Sequence, residues 1–454
     1  MRMMLSQISA DLQARKVTAE AGFTNISIDT RTLQSGDLFV ALVGPNFDGH
    51  EFIAQAQQKG AVAALVSTEI DTALPQILVQ DTRIALAALA RLRRQQMSGM
   101  WVAVTGSSGK TTVKEMLAQI FSQAGKTEVT QGNLNNDIGV PLTIWHMSNQ
   151  GVDYRVIELG ANHAGEIAYT CRIVLPEIAI LNNAQEAHLS GFGNQWGVVK
   201  TKGEIISGLA TGGQAVLNMD DPNYSYWQQL ASECPLWSFS IDDNKARVHT
   251  EQLQVSAEDS SFVLCIDDQR SPVHLSLTGR HNVANALAAA AAAAAAGLSV
   301  AQISAGLATC KAYRGRLVRH QLAADVLVID DTYNANPASV RAAIDVLAQQ
   351  NGNRCLILGD LRELGDASRS LHEGLGRYAA KAGIDYFIGV GPRVAAAVSQ
   401  FAQDGGQHPI AVASQEAVSP YLQSLPKQHL SCLVKGSRSS RMERVVELLL
   451  QQDR

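Results

Sequence analysis

The stretch Val102-Ala-Val-Thr105-Gly106-Ser-Ser-Gly109-Lys110-Thr111-Thr112 decides the fold of this 454-residue chain. The apolar run 101–104 is typical of a buried parallel strand, and a helical pattern begins at Lys110. Between them, a glycine-rich turn lets backbone N–H groups converge, and the helix start adds the positive end of its dipole. This strand–turn–helix order predicts a site for the phosphates of a nucleotide. A chance Gly-Lys-Thr turn is the alternative, and the flanking elements weigh against it.

The turn is shorter than the strict phosphate-binding pattern G-x-x-x-x-G-K-[ST]. Val104 occupies the place of the first glycine, which leaves T-G-x-x-G-K-T-T. Lys110 is expected to reach the β- and γ-phosphates, and the Thr111 hydroxyl to bind Mg²⁺. The predicted nucleotide-binding residues of the loop are Gly106, Ser107, Ser108, Gly109, Lys110, Thr111 and Thr112.

Composition and charge exclude several classes of protein. Hydrophobic residues make up 46% and charged residues 17% of the chain, as in ordinary soluble, well-packed proteins. The net charge of −5 gives no reason to expect nucleic acid or a membrane as partner. The six cysteines form no C-x-x-C pair, which favours reduced thiols over disulfides or a zinc site. No signal peptide or membrane segment is indicated, so we expect a cytoplasmic protein.

The length predicts two to four domains, and the pattern indicates three. Residues 1–84 are expected to form a small α/β unit, with strands at 37–43 and 61–66 and a helix at 51–59. A helix at 85–96 leads into a central domain, 85–312, and a third domain covers 313–454. In the first unit, Asp29-Thr30-Arg31 offers a guanidinium group to an anion, although a surface salt bridge explains the spacing equally well.

From residue 100 onward, strands and helices alternate as in a doubly wound parallel sheet. One strand ends at Glu158, and His188 lies just beyond the strand 177–183. Ligands and metals collect at the carboxyl ends of such strands, so both side chains are expected beside the phosphate loop, where they favour a metal site. The alternative for His188 is a loop residue without a ligand. Lys202, on a helix at 196–209, is a solvated lysine by its spacing alone.

The end of the central domain changes character. Residues 235–278 alternate as in an antiparallel patch beside the main sheet. A helix follows that contains nine consecutive alanines, 288–296, which is most simply a tightly packed internal helix. Its polar start carries His281, Asn282 and Asn285.

The third domain resumes the alternation of strands and helices and is expected to resemble a dinucleotide-binding fold. No G-x-G-x-x-G follows its first strand, so a nicotinamide cofactor is not supported. The predicted strands are 326–330, 355–359, 386–390 and 430–434, and the predicted helices are 339–350, 369–382, 419–424 and 440–451.

Two other classes compete with an enzyme that joins substrates. Asp330-Asp331 at a strand end is typical of the Mg²⁺-binding acid of motor ATPases. However, this acid follows Lys110 by more than two hundred residues, Glu158 already fills that role nearby, and no basic stripe with interleaved aromatics provides a nucleic-acid track. A nucleotide sensor without chemistry is the other alternative. Three domains around one phosphate site favour a ligase.

At this point the chain resembles one family closely, the ATP-dependent Mur ligases of peptidoglycan precursor synthesis. The resemblance covers essentially the whole chain and rests on TGSSGKTT at 105–112, GNLNND at 132–137, ELGA at 158–161, NNAQEAHL at 182–189 and GRHNVANA at 279–286. Within the family, four further motifs are similar to the last-acting member: DTR at 29–31, DDTYNANP at 330–337, LGDLRELG at 358–365 and KGSR at 435–438. The resemblance implies an α/β protein of three domains: an N-terminal UDP-binding domain, a central P-loop ATPase-like parallel sheet with an antiparallel addition, and a Rossmann-like C-terminal domain.

The resemblance also implies roles for residues. Glu158 and His188 match metal ligands, so a second Mg²⁺ is implied. Lys202 matches a lysine that family members carry as a carbamate, an anion that can bind magnesium. Arg316 matches an arginine at the domain junction that reaches the γ-phosphate. With Lys110, the residues His188, Lys202 and Arg316 form the implied catalytic set.

Nucleotide and substrate contacts follow in the same way. Asn282 and Asp331 match residues at the adenine and ribose ends of ATP. The implied substrate contacts are Thr30 and Arg31 for the UDP end, Asn135 and Asn136 for the muramoyl part, and Asn334 and Asn336 in the domain that receives the incoming dipeptide.

The implied activity is an ATP-dependent amide-bond ligation in cell-wall synthesis. UDP-N-acetylmuramoyl-tripeptide would be activated as an acyl phosphate and joined to D-alanyl-D-alanine, with release of ADP and phosphate. A sibling ligase that adds a single amino acid is the alternative within the family. A monomer is expected.

Overall fold

A computed structural model of the chain describes residues 2–322, 325–426 and 428–451. In these ranges, three large sheets of five, nine and six strands follow one another along the chain. The predicted α/β fold with three domains is confirmed. The exact boundaries at 84/85 and 312/313 stay predictions.

The N-terminal sheet is mainly parallel. Its strands lie in the order Lys16–Val17, Gln76–Leu78, Ala63–Val66, Asp37–Val40 and Asn25–Ser27. Two short ribbons, Met3–Met4 with Gly22–Phe23 and Val43–Gly44 with Phe47–Asp48, and the helices Leu5–Ile8, Gly49–Phe52 and Ile53–Gln58 complete the unit. The helix predicted at 51–59 begins instead with the single 3₁₀ turn Gly49–Phe52, because the Asp48 carboxylate accepts a hydrogen bond from the backbone N–H of His50 and caps it there.

The helix Thr82–Gln95 joins the first two domains. Asp81 caps its start by accepting from the backbone N–H groups of Arg83 and Ile84. One side of the helix packs Leu86 into the N-terminal core, and Ala87 belongs to the core of the central domain. The helix therefore holds the first sheet against the second.

The central sheet carries the phosphate loop on one of its inner strands, Met100–Thr105. The spatial order is Thr127–Val129, Tyr154–Glu158, Met100–Thr105, Ile178–Leu181, Gln214–Asn218, Leu236–Ser240, Val248–Val255, Ser260–Ile266 and Gln269–Leu275. Neighbours are parallel as far as Val248–Val255, and the last two pairings are antiparallel. The predicted antiparallel patch thus begins one strand later than expected, because Leu236–Ser240 still pairs in parallel with Gln214–Asn218.

Helices cover both faces of this sheet. They are Lys110–Phe121, Gly139–His146, Glu166–Val174, Leu189–Phe192, Gln195–Ser207, Tyr224–Leu230, Arg280–Ala295 and Val300–Ala308. The alanine-rich helix is internal, as predicted, with alanines 288–293 fully buried in the same core as Val113 and Leu117 of the loop helix. Alanine takes little room, so the two helices approach closely and the polar start of one lies beside the phosphate loop. Among the described residues, no helix is long and apolar enough to cross a membrane.

The third sheet is parallel apart from one edge. Its order is Val318–Leu322, Val326–Asp331, Leu430–Lys435, Asn353–Gly359, Tyr386–Val390 and His408–Val412, with Val318–Leu322 antiparallel to its neighbour. The α-helices are Pro337–Ala348, Ser368–Lys381, Ala395–Gln403, Ser419–Ser424 and Glu443–Gln451. The helix predicted from 339 starts at Pro337, because the Asn336 side chain caps it by accepting from the Ser339 N–H.

Candidate active site

The predicted site residues meet at the carboxyl end of the central strands, where the third domain faces them. A cavity of about 1720 Å³ opens there. Fifteen of the predicted residues line it: Ser107, Ser108, Gly109, Lys110, Thr111, Thr112, Asn135, Asn136, Glu158, His188, Asn282, Arg316, Asp331, Asn334 and Asn336. Thr30, Arg31, Gly106 and Lys202 do not line it.

The phosphate loop is held by amide side chains behind it. The backbone N–H groups of Ser107 and Ser108 donate to the carbonyl oxygen of Asn183 at 3.1 Å and to its Oδ1 at 2.9 Å. These two N–H groups are therefore already used within the protein. The N–H groups that remain for an anion are those of the first helical turn after Gly109, which have no partner within the helix. An anion at the loop would therefore be bound mainly through the helix start.

Gly109 is required by its neighbours as well as by its backbone. Its φ of 82° lies in the left-handed region, where it caps the helix start. A side chain here would collide with the amide groups of Asn182 and Asn285. The loop is packed directly on these amides, so its shape is fixed from behind.

Those amides form a chain of hydrogen bonds from the loop to the alanine-rich helix. Asn182 Nδ2 donates to the Ser108 carbonyl at 3.0 Å and to Asn285 Oδ1 at 2.9 Å. Asn285 Nδ2 in turn donates to Asn282 Oδ1 at 3.4 Å, and Asn282 Nδ2 donates to the Thr278 carbonyl at 2.8 Å. The chain places Asn282, the predicted adenine-side residue, on the cavity wall.

Lys110 folds back over the loop. Its Nζ donates to the Gly106 carbonyl at 2.6 Å. Burial lowers the pKa of the Lys110 ammonium, the nearby Glu158 opposes this, and Arg316 adds to it. The half-buried side chain therefore lies on the cavity wall beside the helix start, as a phosphate-binding lysine requires.

Glu158 lies at the centre of an oxygen-rich group. Its Oε2 accepts from the Thr111 hydroxyl at 3.0 Å, and its Oε1 accepts from Asn135 Nδ2 at 2.7 Å. The carboxylate is nearly fully buried. Two of the predicted Mg²⁺ ligands, Thr111 and Glu158, thus touch each other, and Asn135 serves here as a partner of Glu158. Asn136 instead holds its own turn, accepting from the Gly139 N–H at 2.7 Å.

The third domain reaches this group through Arg316. Its Nη2 donates to the Thr111 hydroxyl at 3.1 Å, and its guanidinium lies 4.3 Å from the centre of the Tyr333 ring. Asn336 also crosses the boundary, with Nδ2 donating to Ser108 Oγ at 2.9 Å. The arrangement is closed, with the third domain directly on the phosphate loop.

Asp331 is paired deep in the third domain. Its Oδ2 accepts from Lys435 Nζ at 2.6 Å, and the same ammonium donates to the Asn334 carbonyl at 2.9 Å. Burial lowers the pKa of Lys435, and Asp331 opposes that shift. The pair fixes the turn 330–337, which forms one wall of the cavity.

His188 lines the cavity and forms an ion pair with Glu363 of the third domain, through Nδ1 and Oε2. Lys202 does not line this cavity. It is buried, with Nζ 5.5 Å from the centre of the Phe192 ring, so the solvated position that its spacing indicated is wrong. Burial lowers its pKa well below the ordinary value, and Lys110 adds to the effect.

Thr30 and Arg31 lie in the N-terminal domain, away from this cavity. Thr30 is buried and donates to Gln55 Oε1 at 2.7 Å. Arg31 is exposed and pairs with Asp29, whose pKa falls to about 2 because of the hydrogen bonds from Arg31. A smaller cavity of about 270 Å³ adjoins this turn and is lined in part by Asp29 and Thr32.

Sequence reasoning assigned no role to several residues that build the site. Asn182, Asn183 and Asn285 shape the loop from behind, and Lys435 fixes the third-domain wall. The clustering of asparagines in NNAQEAHL and GRHNVANA was the available signal, since amides at strand and helix ends near a glycine turn often bond to its backbone.

Comparison with known proteins identifies the family. Residues 22–94 match the Mur ligase family catalytic domain, residues 104–293 the Mur ligase middle domain, and residues 315–438 the Mur ligase glutamate ligase domain.

Curated and solved relatives agree with these matches. The chain is 46% identical to the UDP-N-acetylmuramoyl-tripeptide–D-alanyl-D-alanine ligase of Escherichia coli K12, over 97% of this chain and 96% of that protein. A crystal structure of MurF from Acinetobacter baumannii superposes with a TM-score of 0.92 at 38% identity and covers 99% of both chains. MurF ligase from Thermotoga maritima in complex with ADP gives a TM-score of 0.84 at 28% identity, over 94% of this chain and 97% of that one. Three successive domain matches and full-length relatives lead to one conclusion: the chain belongs to the Mur ligase family.

Proposed function

We propose that the protein joins D-alanyl-D-alanine to UDP-N-acetylmuramoyl-tripeptide at the expense of ATP. The observation that carries the proposal is the meeting of three parts at the Thr111 hydroxyl: the phosphate loop, Glu158 of the central sheet and Arg316 of the third domain. The full-length similarity to the UDP-N-acetylmuramoyl-tripeptide–D-alanyl-D-alanine ligase of Escherichia coli and to MurF of Acinetobacter baumannii supports the choice of substrates.

ATP is assigned to the large cavity. Its phosphates would bind at the helix start and Lys110, and its adenosine end would lie between Asn282 and Asp331, which face the cavity from opposite domains. The relative from Thermotoga maritima binds ADP, which supports a nucleotide at the equivalent place.

The donor set fits Mg²⁺. A buried carboxylate and a hydroxyl provide hard oxygen ligands. Magnesium prefers oxygen ligands to sulfur or nitrogen ligands. Glu158 and Thr111 would hold the ion, and His188 would hold a second one on the cavity wall. When bound, the ions would neutralise the negative charge of the phosphates.

The chain's own residues then favour phosphoryl transfer. A peptide carboxylate is a poor electrophile, and attack on the γ-phosphorus converts it to an acyl phosphate. Lys110 and Arg316 would stabilise the charge that spreads over the equatorial oxygens. The amine of the dipeptide would attack the acyl carbon and expel phosphate.

Each substrate is assigned to a domain. The N-terminal domain would hold the UDP end near Thr30 and Arg31, and the muramoyl part would pass Asn135 and Asn136 at the cavity rim. The third domain would present D-alanyl-D-alanine beside Asn334 and Asn336. Closure of the third domain would therefore bring the amine to the activated carboxylate.

Lys202 is proposed to act as a carbamate. Burial disfavours the ammonium form, and a neutral amine is the form that adds carbon dioxide, with loss of a proton. The product is an anion beside Lys110, whereas the ammonium would repel it. Rescue of Lys202→Ala by short carboxylic acids tests this role, and indifference to them would count against it.

We also propose that the enzyme works in the cytoplasm as a monomer. ATP is available in that compartment, and all six cysteines are free thiols.

A substrate panel tests the proposal. The enzyme would be incubated with ATP, Mg²⁺, UDP-N-acetylmuramoyl-tripeptide and either D-alanyl-D-alanine or single amino acids, while phosphate release and product mass are followed. We expect turnover only with the dipeptide, and turnover only with a single amino acid would indicate a sibling ligase. Lys110→Ala should abolish phosphate release even at saturating ATP, whereas the exposed control Lys126→Ala should not.

A further inference from the structure

We propose that Glu363 is a positioning residue that aims His188 at the second metal ion when the third domain closes. The proposal rests on the proposed function, since that function supplies the metal. Glu363 follows the strand Asn353–Gly359 of the third domain, and His188 follows the strand Ile178–Leu181 of the central domain. Their ion pair therefore crosses the domain boundary.

The backbone holds the two residues against each other. Ser190 donates to the Glu363 carbonyl oxygen from its N–H at 3.3 Å and from its hydroxyl at 3.4 Å. The φ angles of His188 and Glu363 are 53° and 63°, in the left-handed region that side chains other than glycine rarely adopt. Such conformations are energetically costly and cluster at functional sites. Here both residues with this conformation are partners in one contact.

The segment that carries Glu363 is firmly supported. The buried His372 accepts from the Leu361 N–H at 3.2 Å through Nε2 and donates to the Ser368 carbonyl at 2.6 Å through Nδ1. The Arg362 N–H donates to Ser437 Oγ at 3.0 Å. Glu363 is thus presented by a rigid part of the third domain, so its position reports the position of that domain.

The chemistry of imidazole explains what the contact does. When Nδ1–H of a histidine donates to a carboxylate, the tautomer is fixed and the lone pair on Nε2 is left for a metal. His188 lines the cavity, and its ring meets the Phe192 ring edge-on, at 90° with 6.3 Å between centres. Phe192 restrains the ring from the side, and the Glu363 carboxylate beside Nδ1 favours the proton on that nitrogen.

A consequence follows for the reaction order. Glu363 belongs to the domain assigned to the incoming dipeptide, so His188 is fully aimed only after that domain has closed. Metal affinity and domain closure are therefore coupled, and the second ion binds best in the state that is ready for phosphoryl transfer.

The test uses Mn²⁺ as a paramagnetic substitute for Mg²⁺, with the full-length enzyme and a non-hydrolysable ATP analogue. We expect Glu363→Ala to weaken binding of the second Mn²⁺ roughly 10–100-fold, as for other residues that orient a metal-bound histidine. Glu363→Gln should lose less, because an amide oxygen beside Nδ1 still favours the proton on that nitrogen. Glu373→Gln, which alters an exposed pair with Arg369 in the same domain, is the matched control and should bind as the unmodified enzyme does.

The ¹⁵N resonances of the His188 imidazole give a second readout. They should report one tautomer in the unmodified enzyme and a mixture in Glu363→Ala. If His188→Ala weakens Mn²⁺ binding but Glu363→Ala does not, the positioning role is wrong while the proposed function stands. If His188→Ala itself leaves Mn²⁺ binding unchanged, the metal assignment in the proposed function fails, and the positioning role fails with it.

Discussion

Replacement of Asp331 by Asn should destabilise the third domain measurably. The Asp331–Lys435 pair is buried, with side-chain exposures of 11% and 3% and an oxygen–nitrogen distance of 2.6 Å. Removing one partner of such a pair typically costs about 3–5 kcal/mol, because the other charge is left in a dry setting. Lys435 keeps its hydrogen bond to the Asn334 carbonyl, so we expect the lower end, about 3 kcal/mol. For a domain of this size that corresponds to a melting point lower by roughly 6–12 °C.

The same variant should acquire a pH dependence of known sign. Burial already lowers the pKa of Lys435, and without the opposing Asp331 carboxylate it should fall further below the unfolded value of about 10.4. At pH values between the folded and the unfolded pKa of Lys435, the unfolded chain binds a proton that the folded domain releases. The free energy of unfolding of Asp331→Asn therefore rises with pH, by up to about 1.4 kcal/mol per pH unit.

Urea unfolding between pH 7 and 9 measures both effects. Asp366→Asn, at an exposed position of the same domain, is the matched control and should change little. Adding Lys435→Met to Asp331→Asn should recover most of the loss, because no buried charge remains. A loss below about 1 kcal/mol, equal to that of the control and independent of pH, would refute the reasoning.

Three further variants probe the site. Arg316→Lys keeps the charge but loses the planar guanidinium over the Tyr333 ring. We therefore expect the rate of phosphate release to fall roughly 100-fold, with little change in the KM for ATP. A rate within a fewfold of normal would argue against a γ-phosphate role for Arg316. Asn182→Ala leaves the buried Asn285 Oδ1 without its donor, so the free energy of unfolding in urea should fall by about 1–3 kcal/mol. An unchanged midpoint of urea unfolding would contradict this. Asn336→Ala removes the contact to the phosphate loop, so steady-state kinetics should show a higher KM for ATP; a rise confined to the KM for the dipeptide would make Asn336 purely a substrate contact.

The local parts of this structure follow from the sequence. The strand Met100–Thr105, the turn after it and the helix from Lys110 are encoded within a dozen neighbouring residues, and the positions of Glu158 and His188 follow from the rule that ligands gather at the carboxyl ends of parallel strands. Periodicity could also place the four inner strands of the third sheet.

The periodicity of the sequence could not predict the edge strands or the contacts between distant residues. Val318–Leu322 and His408–Val412 lie at the two edges of the third sheet, and their polar or proline-containing sequences carry little alternation. The pairing of Asp331 with Lys435 joins positions 104 residues apart, and the contact of His188 with Glu363 joins two domains. Lys202 looked like a surface lysine because its helix is only weakly amphipathic, and its burial depends on how that helix packs.

Transfer of labelled oxygen examines the activation of the carboxylate. UDP-N-acetylmuramoyl-tripeptide would carry ¹⁸O in the carboxylate that reacts, and the phosphate released during turnover with ATP and D-alanyl-D-alanine would be analysed by mass spectrometry. If the phosphate loop activates that carboxylate as an acyl phosphate, each released phosphate carries one labelled oxygen, and Lys110→Ala releases none. Turnover that yields unlabelled phosphate would contradict the proposed mechanism.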